Sequence, residues 1–205
     1  MIAVIDYGMG NLRSVVNALE MVGGDPEIVA DPARLAEAER IVLPGVGAFG
    51  DCTRTLACTG FADALEREVR GKVKPILGIC LGMQVMASLG HEFGKHPGLG
   101  WFDAEVVRIT PADQELRVPQ VGWNDLDVAR VHPVFAGLPK AADFYFVHSF
   151  HMCCERAEDV VATCDYGGSV TAAVARDSIV ATQFHPEKSQ DAGLALLANF
   201  IRWNP

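Results

Sequence analysis

The sequence predicts an α/β fold: an open, largely parallel or mixed twisted sheet with helices on both faces and a strand-rich second half. Apolar, strand-like runs alternate with helical segments through residue 90, glycine-rich turns follow several of these runs, and alternating apolar residues dominate the remainder. Strand–helix alternation produces parallel strands joined by right-handed crossovers. Because no linker-like stretch divides the 205 residues, we expect one domain spanning 1–205.

The first half supplies four predicted strands. Apolar runs place them at 2–5, 26–29, 41–43 and 75–79. The first helix has Asn11 as its expected cap and an apolar stripe from Leu12 to Leu19. Further helices are predicted after Asp31, over 61–69 and over 81–89. Because ligands of parallel sheets bind beyond the carboxyl ends of the strands, the turns after these strands are the expected site.

After residue 90 the pattern changes to short alternating segments. The stretch 91–100 is predicted as a loop, and 189–203 as a closing amphipathic helix. Strands are predicted at 101–109, 118–128, 144–150, 160–164, 171–175 and 179–184.

Composition argues against several classes of function. The net charge of -9 and the scattered Lys and Arg residues disfavour a nucleic-acid surface. No apolar run is long enough to span a membrane, and residues 1–6 are predicted as a strand and not as a signal peptide. Six cysteines without a secretory signal predict reduced thiols and a cytoplasmic location.

Two cofactor hypotheses are weaker than plain structural explanations. The glycines of segment 8–10 suggest a dinucleotide fingerprint, but position 13 is Arg where the third glycine is needed. The Cys153–Cys154 pair lies near two histidines, but the spacing matches no zinc pattern. We therefore expect no cofactor and no metal.

Gly78-Ile-Cys-Leu-Gly82 has the Gly-x-Cys-x-Gly pattern of a nucleophile elbow, placed at the end of an apolar strand. A sharp strand-to-helix turn strains its central residue and crowds the flanking backbone, which glycines relieve. Such a turn points the Cys80 sulfur out of the sheet edge, and free N–H groups at a helix start favour a thiolate. The alternative is a small core cysteine between two packing glycines.

A nucleophilic cysteine needs a base and a group that holds the base. His185 follows the predicted strand 179–184, and Pro186 biases it toward an extended conformation. Residues i and i+2 of an extended segment share a side, so Glu187 can contact one imidazole nitrogen while the other faces Cys80. The alternative is a surface turn in which Glu187 caps the last helix.

The turn 44–50 is a candidate source of an oxyanion-hole donor. It contains three glycines, so no side chains cover its backbone amides. Because it follows the third predicted strand, these amides should lie at the same sheet edge as Cys80. The alternative is an ordinary flexible loop between a strand and a helix.

The elbow and His185-Pro-Glu187 together resemble the triad class of glutamine amidotransferases. Further segments narrow the similarity, over essentially the whole chain, to the glutaminase subunits of imidazole glycerol phosphate synthase, an enzyme of histidine biosynthesis. These segments are 6–14, 44–49, 122–124, 145–149 and 185–189. The chain has Pro119-Gln-Val121 where that family more often has Pro-His-Met, and Phe150 where tyrosine is common.

The resemblance implies the class I glutamine amidotransferase fold and hydrolysis of glutamine to glutamate and ammonia. Cys80 would attack the side-chain amide, His185 would carry the proton, and Glu187 would orient His185. The implied oxyanion-hole N–H groups belong to Leu81, Val46 and Gly47. The implied glutamine contacts are Gln84, His148, Ser149 and Phe150.

The resemblance also implies a partner. A (β/α)₈-barrel cyclase would form a heterodimer with this chain, receive the ammonia, and make imidazole glycerol phosphate and a carboxamide ribonucleotide. The residues assigned to that interface are Asn11, Trp123, Tyr145 and Lys188.

Three alternatives stay open at this point. One is the glutaminase of another amidotransferase, such as that of pyridoxal phosphate or anthranilate synthesis. Another is a binding or regulatory subunit with an inactive pocket, and the third is a thiol hydrolase that acts alone on γ-glutamyl peptides.

Overall fold

A computed structural model describes residues 1–139 and 142–205 of the chain, and strands make up most of its regular structure. Apolar runs form the first four strands, and the second half is strand-rich as predicted. The strands are β1 Ile2–Ile5, β2 Pro26–Val29, β3 Arg40–Gly45, β4 Ile76–Cys80, β5 Ala87–Gly90, β6 His96–Pro97, β7 Phe102–Arg108, β8 Gln120–Asp125, β9 Asp127–Val128, β10 Asp143–His148, β11 Phe150–Cys154, β12 Val160–Asp165, β13 Ser169–Arg176 and β14 Ile179–Thr182.

The helices connect the strands of the first half and close the chain. The α-helices are α1 Leu12–Met21, α2 Phe49–Thr59, α3 Phe61–Leu65, α4 Leu81–Gln84 and α5 Gln190–Arg202. A π-helical segment, Glu66–Gly71, continues α3. Short 3₁₀ segments occupy Pro32–Glu37, Pro133–Phe135, Ala157–Asp159 and Pro186–Lys188.

An eight-stranded mixed sheet organises the fold, in the order β2-β1-β3-β4-β14-β13-β12-β9. The strands from β2 to β14 are mutually parallel, and β13, β12 and β9 extend the sheet antiparallel. Strand β4, which ends at Cys80, lies between β3 and β14. The turns after β3, β4 and β14 therefore meet at one sheet edge.

Each face of this sheet carries a hydrophobic core, because successive residues of a strand point to opposite faces. Val4 and Ile79 share one core with α1 and α5, whereas Ile5 and Leu43 share the other with α2 and α3. Helices thus cover both faces, and the predicted fold class is confirmed.

Two smaller sheets flank the end of β4. Strands β8 and β10 pair antiparallel, with Gln120 opposite His148, and the chain continues from β10 into β11. Strand β11 belongs to a four-stranded sheet of order β11-β7-β5-β6. These sheets form the second wall of the site described below.

The predicted helix over 81–89 is wrong. Helix α4 is one turn long, Leu81–Gln84, and the chain then enters β5. Residues 81–87 are all buried, so they carry no helical apolar stripe. The carbonyls of Val85 and Met86 instead accept backbone hydrogen bonds from Leu99 and Trp101.

The turn 44–50 and the helix over 61–69 also differ from prediction. Pro44 and Gly45 extend β3 because they pair with Ile79 and Cys80, and α2 already begins at Phe49. Only residues 46–48 remain as a loop between them. The helical region after the loop therefore starts twelve residues earlier than predicted and is divided at Gly60 into α2 and α3.

The predicted cap residue of α1 lies at the expected position but does not make the expected hydrogen bond. Asn11 occupies the N-cap position, yet its side chain makes no capping hydrogen bond to the backbone. Its amide donates to Ser14 Oγ at 2.9 Å.

One buried carboxylate stabilises the π-helical segment. The Glu68 side chain is fully buried and lies 3.2 Å from Arg67, 3.1 Å from Lys72 and 2.9 Å from Lys74. Burial raises the pKa of Glu68, but the three cations outweigh it and lower the pKa to about 2. Because the folded-state pKa is depressed, this carboxylate stabilises the fold above its ordinary pKa of 4.5, and the contribution is lost as the pH falls toward 2.

We predict that Glu68→Gln lowers the free energy of unfolding at pH 7 by about 1–3 kcal/mol, because buried hydrogen bonds to cations are lost. It should also flatten the decline of stability between pH 4.5 and 2. Urea unfolding across this pH range measures both effects. Glu158→Gln, at an exposed ion pair, is the control and should change stability by less than about 0.5 kcal/mol. An unchanged pH profile for Glu68→Gln would contradict the assignment.

Candidate active site

Cys80 occupies a strained turn at the carboxyl end of β4. Its φ of 56° and ψ of -111° lie in a region that non-glycine residues rarely adopt. A Cβ at Gly78 would lie 2.9 Å from the Gly82 carbonyl oxygen, and a Cβ at Gly82 would overlap the Leu43 carbonyl oxygen. Both flanking positions therefore require glycine, and the geometry is that of a nucleophile elbow.

His185 and Glu187 form a buried pair beside this turn. His185 Nδ1 lies 2.8 Å from Glu187 Oε1, and both side chains are at most 5% exposed. His185 Nε2 is buried and makes no hydrogen bond within the described part of the chain. The carboxylate thus fixes the proton on Nδ1 and leaves Nε2 available for chemistry.

The electrostatics of His185 favour its charged form. Burial lowers its pKa, but the neighbouring Cys80 sulfur and the Glu187 carboxylate outweigh burial and raise the pKa to about 9. An imidazolium at neutral pH can donate a proton to a leaving group and favours a thiolate nearby.

Backbone contacts hold the His185 segment in place. The His185 N–H donates to the Tyr145 carbonyl at 2.9 Å. Ser189 Oγ donates to the His185 carbonyl at 2.6 Å and accepts from the Tyr145 N–H at 3.0 Å. Strand β10 therefore anchors the turn that follows β14.

The sulfur and the imidazole line one cavity of about 310 Å³. The cavity lies between the edge of the main sheet and the segment 147–150. It is lined by Val46, Gly47, Cys80, Leu81, Gln84, Glu92, Val147, His148, Ser149, Phe150, His185 and Lys188. The structure thus brings the sequence-predicted nucleophile, base, oxyanion-hole and glutamine-contact residues around one space, with Glu187 behind His185.

The loop after β3 is tied to the first turn of the chain. Tyr7 Oη donates to the Pro44 carbonyl at 3.0 Å, and the Cys52 thiol donates to Tyr7 Oη at 3.2 Å. Gly47 follows with a φ of 104°, a conformation that favours glycine. The fixed end of β3 therefore carries the Val46 and Gly47 backbone to the cavity wall.

The Phe150 carbonyl is held by two side chains. Gln84 Nε2 donates to it at 2.9 Å, and His148 Nδ1 donates to it at 2.8 Å. His148 Nε2 lies 3.1 Å from the side-chain amide of Gln120. Burial lowers the pKa of His148 to about 4, so the ring is neutral at pH 7. Both ring nitrogens contact protein groups. His148 therefore holds the backbone of the cavity wall in position.

Three residues at this site were missed by sequence reasoning. Glu92 lines the cavity, and its carboxylate accepts the Phe49 N–H at 2.8 Å. Gln183 is fully buried and donates to Cys80 Sγ at 3.6 Å, and Tyr7 anchors Pro44 as described above. A sequence signal existed for Gln183, because it is a polar residue inside the predicted strand 179–184 and lies two residues before His185.

Three of the four predicted interface residues lie together on one surface. Trp123 and Tyr145 pack edge to face with ring centroids 5.8 Å apart, and Lys188 Nζ lies 5.7 Å from the Tyr145 ring centroid. Asn11 is exposed at the start of α1, a helix that packs against the Pro186–Lys188 turn.

The described residues show no group of three or more His, Cys, Asp or Glu side chains arranged to hold a metal ion. Their six cysteines are all free thiols. None of the helices in residues 1–139 and 142–205 is both long and apolar enough to cross a membrane.

The fold and the site have the arrangement typical of thiol enzymes, in which a cysteine, a histidine and a carboxylate lie together at the end of a strand. A family model described as "Glutamine amidotransferase class-I" matches residues 3–203. The chain is 51% identical to the imidazole glycerol phosphate synthase subunit HisH of Rhizobium meliloti (strain 1021) and 47% identical to that of Caulobacter vibrioides, covering 100% of this chain and 99% of each relative. The chain therefore belongs to the class-I glutamine amidotransferases and, within them, to the HisH family of imidazole glycerol phosphate synthase subunits.

Solved structures agree with the fold at lower sequence identity. PurLQS from Thermotoga maritima matches with a TM-score of 0.74 at 20% identity, covering 98% of this chain and 97% of that chain. A glutamine amidotransferase from the same organism matches with a TM-score of 0.68 at 16% identity, covering 98% and 96%. These two similarities support the fold alone.

Proposed function

We propose that this chain is the glutaminase subunit of an imidazole glycerol phosphate synthase, and that it hydrolyses glutamine to glutamate and ammonia through a thioester on Cys80. The observation that carries the proposal is the buried His185–Glu187 pair, which shares a cavity with the strained Cys80 turn. The relatives at 47–51% identity over the full chain support this subunit over the sister amidotransferases. The chain acts in the cytoplasm as one domain.

The reaction begins with attack of the Cys80 thiolate on the side-chain carbonyl carbon of glutamine. The His185 imidazolium donates its Nε2 proton to the amide nitrogen, the C–N bond breaks, and ammonia leaves. Neutral His185 then takes a proton from water as the hydroxyl attacks the thioester, and glutamate and the thiolate are released. Glu187 holds the His185 ring and stabilises its charge throughout.

Backbone N–H groups stabilise the tetrahedral oxyanion. The Leu81 N–H follows the nucleophile directly, and the N–H groups of Val46 and Gly47 belong to the loop after β3, which also lines the cavity. Removing one oxyanion-hole donor typically reduces turnover by about 10²–10³-fold.

The cavity also offers acceptors for the α-ammonium group of glutamine. Both amide hydrogens of Gln84 are used, one toward Phe150 O and one toward Gln183 Oε1, each at 2.9 Å. Gln84 Oε1 is therefore left for the cavity, which the Glu92 carboxylate also lines. The backbone of Ser149 and Phe150 completes this wall, and His148 holds it in place.

Ammonia leaves toward a (β/α)₈-barrel cyclase that docks next to the cavity. Trp123 and Tyr145 lie opposite one another on β8 and β10, as do Val121 and Val147, and Lys188 lies over Tyr145. We call these five residues the β8–β10 patch. Val147 and Lys188 also line the cavity, so a partner on the patch would cover the point where ammonia forms.

Glutamate release from glutamine tests the proposal directly. We predict low turnover by the purified chain alone and strong turnover with a barrel cyclase and its nucleotide ligand. Cys80→Ala should abolish it, because the nucleophile is lost, whereas Cys58→Ala, at an exposed thiol, should retain it. High turnover without the cyclase would favour an independent hydrolase, and unimpaired turnover by Cys80→Ala would exclude the thioester mechanism.

Glu187→Gln tests the charge on His185. Turnover needs the imidazolium, so kcat/KM should fall as the pH rises through the His185 pKa of about 9. Loss of the carboxylate should move this alkaline limb about 1 pH unit or more toward neutrality, because an adjacent opposite charge favours the protonated form. The pH profile of kcat/KM in the complex measures it, with Glu158→Gln as the surface control. An unmoved alkaline limb would contradict the role of Glu187.

Trp123→Ala tests the docking surface. Trp123 is 47% exposed at the β8–β10 patch, and buried aromatic anchors at interfaces cost about 2 kcal/mol or more when truncated. We expect at least about tenfold weaker binding to the cyclase by isothermal titration calorimetry. Met21→Ala is the matched control, because Met21 is 74% exposed at the other end of α1 from Asn11. Equal affinity for both variants would place the interface elsewhere.

A further inference from the structure

Gln183 is a fully buried amide that the mechanism above uses only as an acceptor for Gln84. It lies one residue beyond β14, the strand that pairs Thr182 with Ile79, so its side chain reaches the end of β4. Gln183 Nε2 lies 3.6 Å from Cys80 Sγ, and Gln183 Oε1 lies 2.9 Å from Gln84 Nε2. Gln183 therefore connects the nucleophile to a residue of the substrate cavity.

The direction of these hydrogen bonds is fixed by chemistry. The Phe150 carbonyl can only accept, so the Gln84 amide must present its NH₂ group there. The same NH₂ group faces Gln183, which must therefore present its oxygen. The Gln183 NH₂ group is consequently directed at the Cys80 sulfur.

A donor aimed at sulfur favours the charged sulfur over the neutral thiol, because hydrogen bonds to the charged form stabilise it. A neutral thiol can offer the same NH₂ group only a sulfur lone pair, which is a weaker acceptor than a thiolate, and would gain less. The Gln183 side chain is fully buried and its oxygen accepts a hydrogen bond from Gln84, so little reorganisation is needed when charge develops on the sulfur.

We propose that Gln183 is a further catalytic residue, whose amide N–H donates to the Cys80 sulfur and stabilises it as a thiolate before attack and again as the leaving group in thioester hydrolysis. The proposal rests on the proposed function, in which Cys80 is the nucleophile. The chain of hydrogen bonds from Phe150 O through Gln84 to Gln183 keeps the donor pointed at sulfur. It also links the substrate wall of the cavity to the nucleophile.

Alkylation by iodoacetamide tests the proposal without glutamine turnover. The full chain is alkylated across a range of pH, and mass spectrometry follows the Cys80 peptide, with the exposed Cys58 as the internal reference. Gln183→Met keeps the volume but removes the donor. Gln183→Glu keeps an acceptor for Gln84 and places a carboxylate beside the sulfur. Ser178→Ala is the control, because Ser178 is also a buried polar residue but directly precedes β14, at the opposite end of that strand from Gln183.

We expect the pH midpoint of Cys80 alkylation to rise by about one unit in Gln183→Met. At a pH below the midpoints of both the unmodified chain and the variant, the alkylation rate should therefore fall about tenfold. Gln183→Glu should raise the midpoint further, while the midpoint for Cys58 in every variant, and that for Cys80 in Ser178→Ala, should stay unchanged. Native circular dichroism shows which of the two Gln183 variants are folded. If the pH midpoint of Cys80 alkylation is unchanged in a folded variant, the proposal is overturned and Gln183 is a packing residue. Because the readout is alkylation, absence of glutaminase activity in the unmodified chain would count against the proposed function and not against this contact.

Discussion

The strained backbone of Cys80 is the constraint on which the site depends. A non-glycine residue in such a conformation costs about 1–3 kcal/mol and persists only where its surroundings determine it. Here β4 is paired on both sides, with Gly45 opposite Cys80 on one flank, while Gly82 packs against the Leu43 carbonyl. The sheet therefore supplies the stability that the turn requires, and the turn directs the sulfur into the cavity.

The same sheet explains how residues far apart in sequence form one reactive group. Because β14 is the parallel neighbour of β4, the turn after β14 carries His185 to the end of the strand that presents Cys80. Its carboxylate partner, Glu187, is two residues further along and is buried with it. A hydrogen bond from His185 to the β10 backbone then fixes this turn against the opposite wall. The catalytic geometry thus follows from strand order and not from local sequence alone.

Sequence patterns predicted the features that depend on local information. The strands β1 and β2 were predicted with their observed bounds, because short apolar runs and bounding turns define them. The positions of Cys80 and His185 were recognisable from glycine spacing and from the strand that precedes each. These patterns did not predict that α4 is only one turn long. Residues 81–87 are all buried, so they show no periodicity that distinguishes a helix from a strand.

Tertiary pairing determined most of the remaining differences. The strand β3 extends over Pro44 and Gly45 because β4 is beside it, although proline and glycine locally indicate a loop. Glu92 and Gln183 are functional candidates only because distant segments bring them to the cavity and to the sulfur. No spacing rule joins them to Cys80, so their roles required the folded chain.

The covalent intermediate is the most direct test of the account. The complex with the barrel cyclase and its ligand would be mixed with glutamine, quenched with acid within one turnover, and digested for mass spectrometry. The account predicts that the peptide containing Cys80 gains one γ-glutamyl group, which hydroxylamine removes. Steady glutamate formation with no such group on Cys80, or with the group on another residue, would contradict the mechanism.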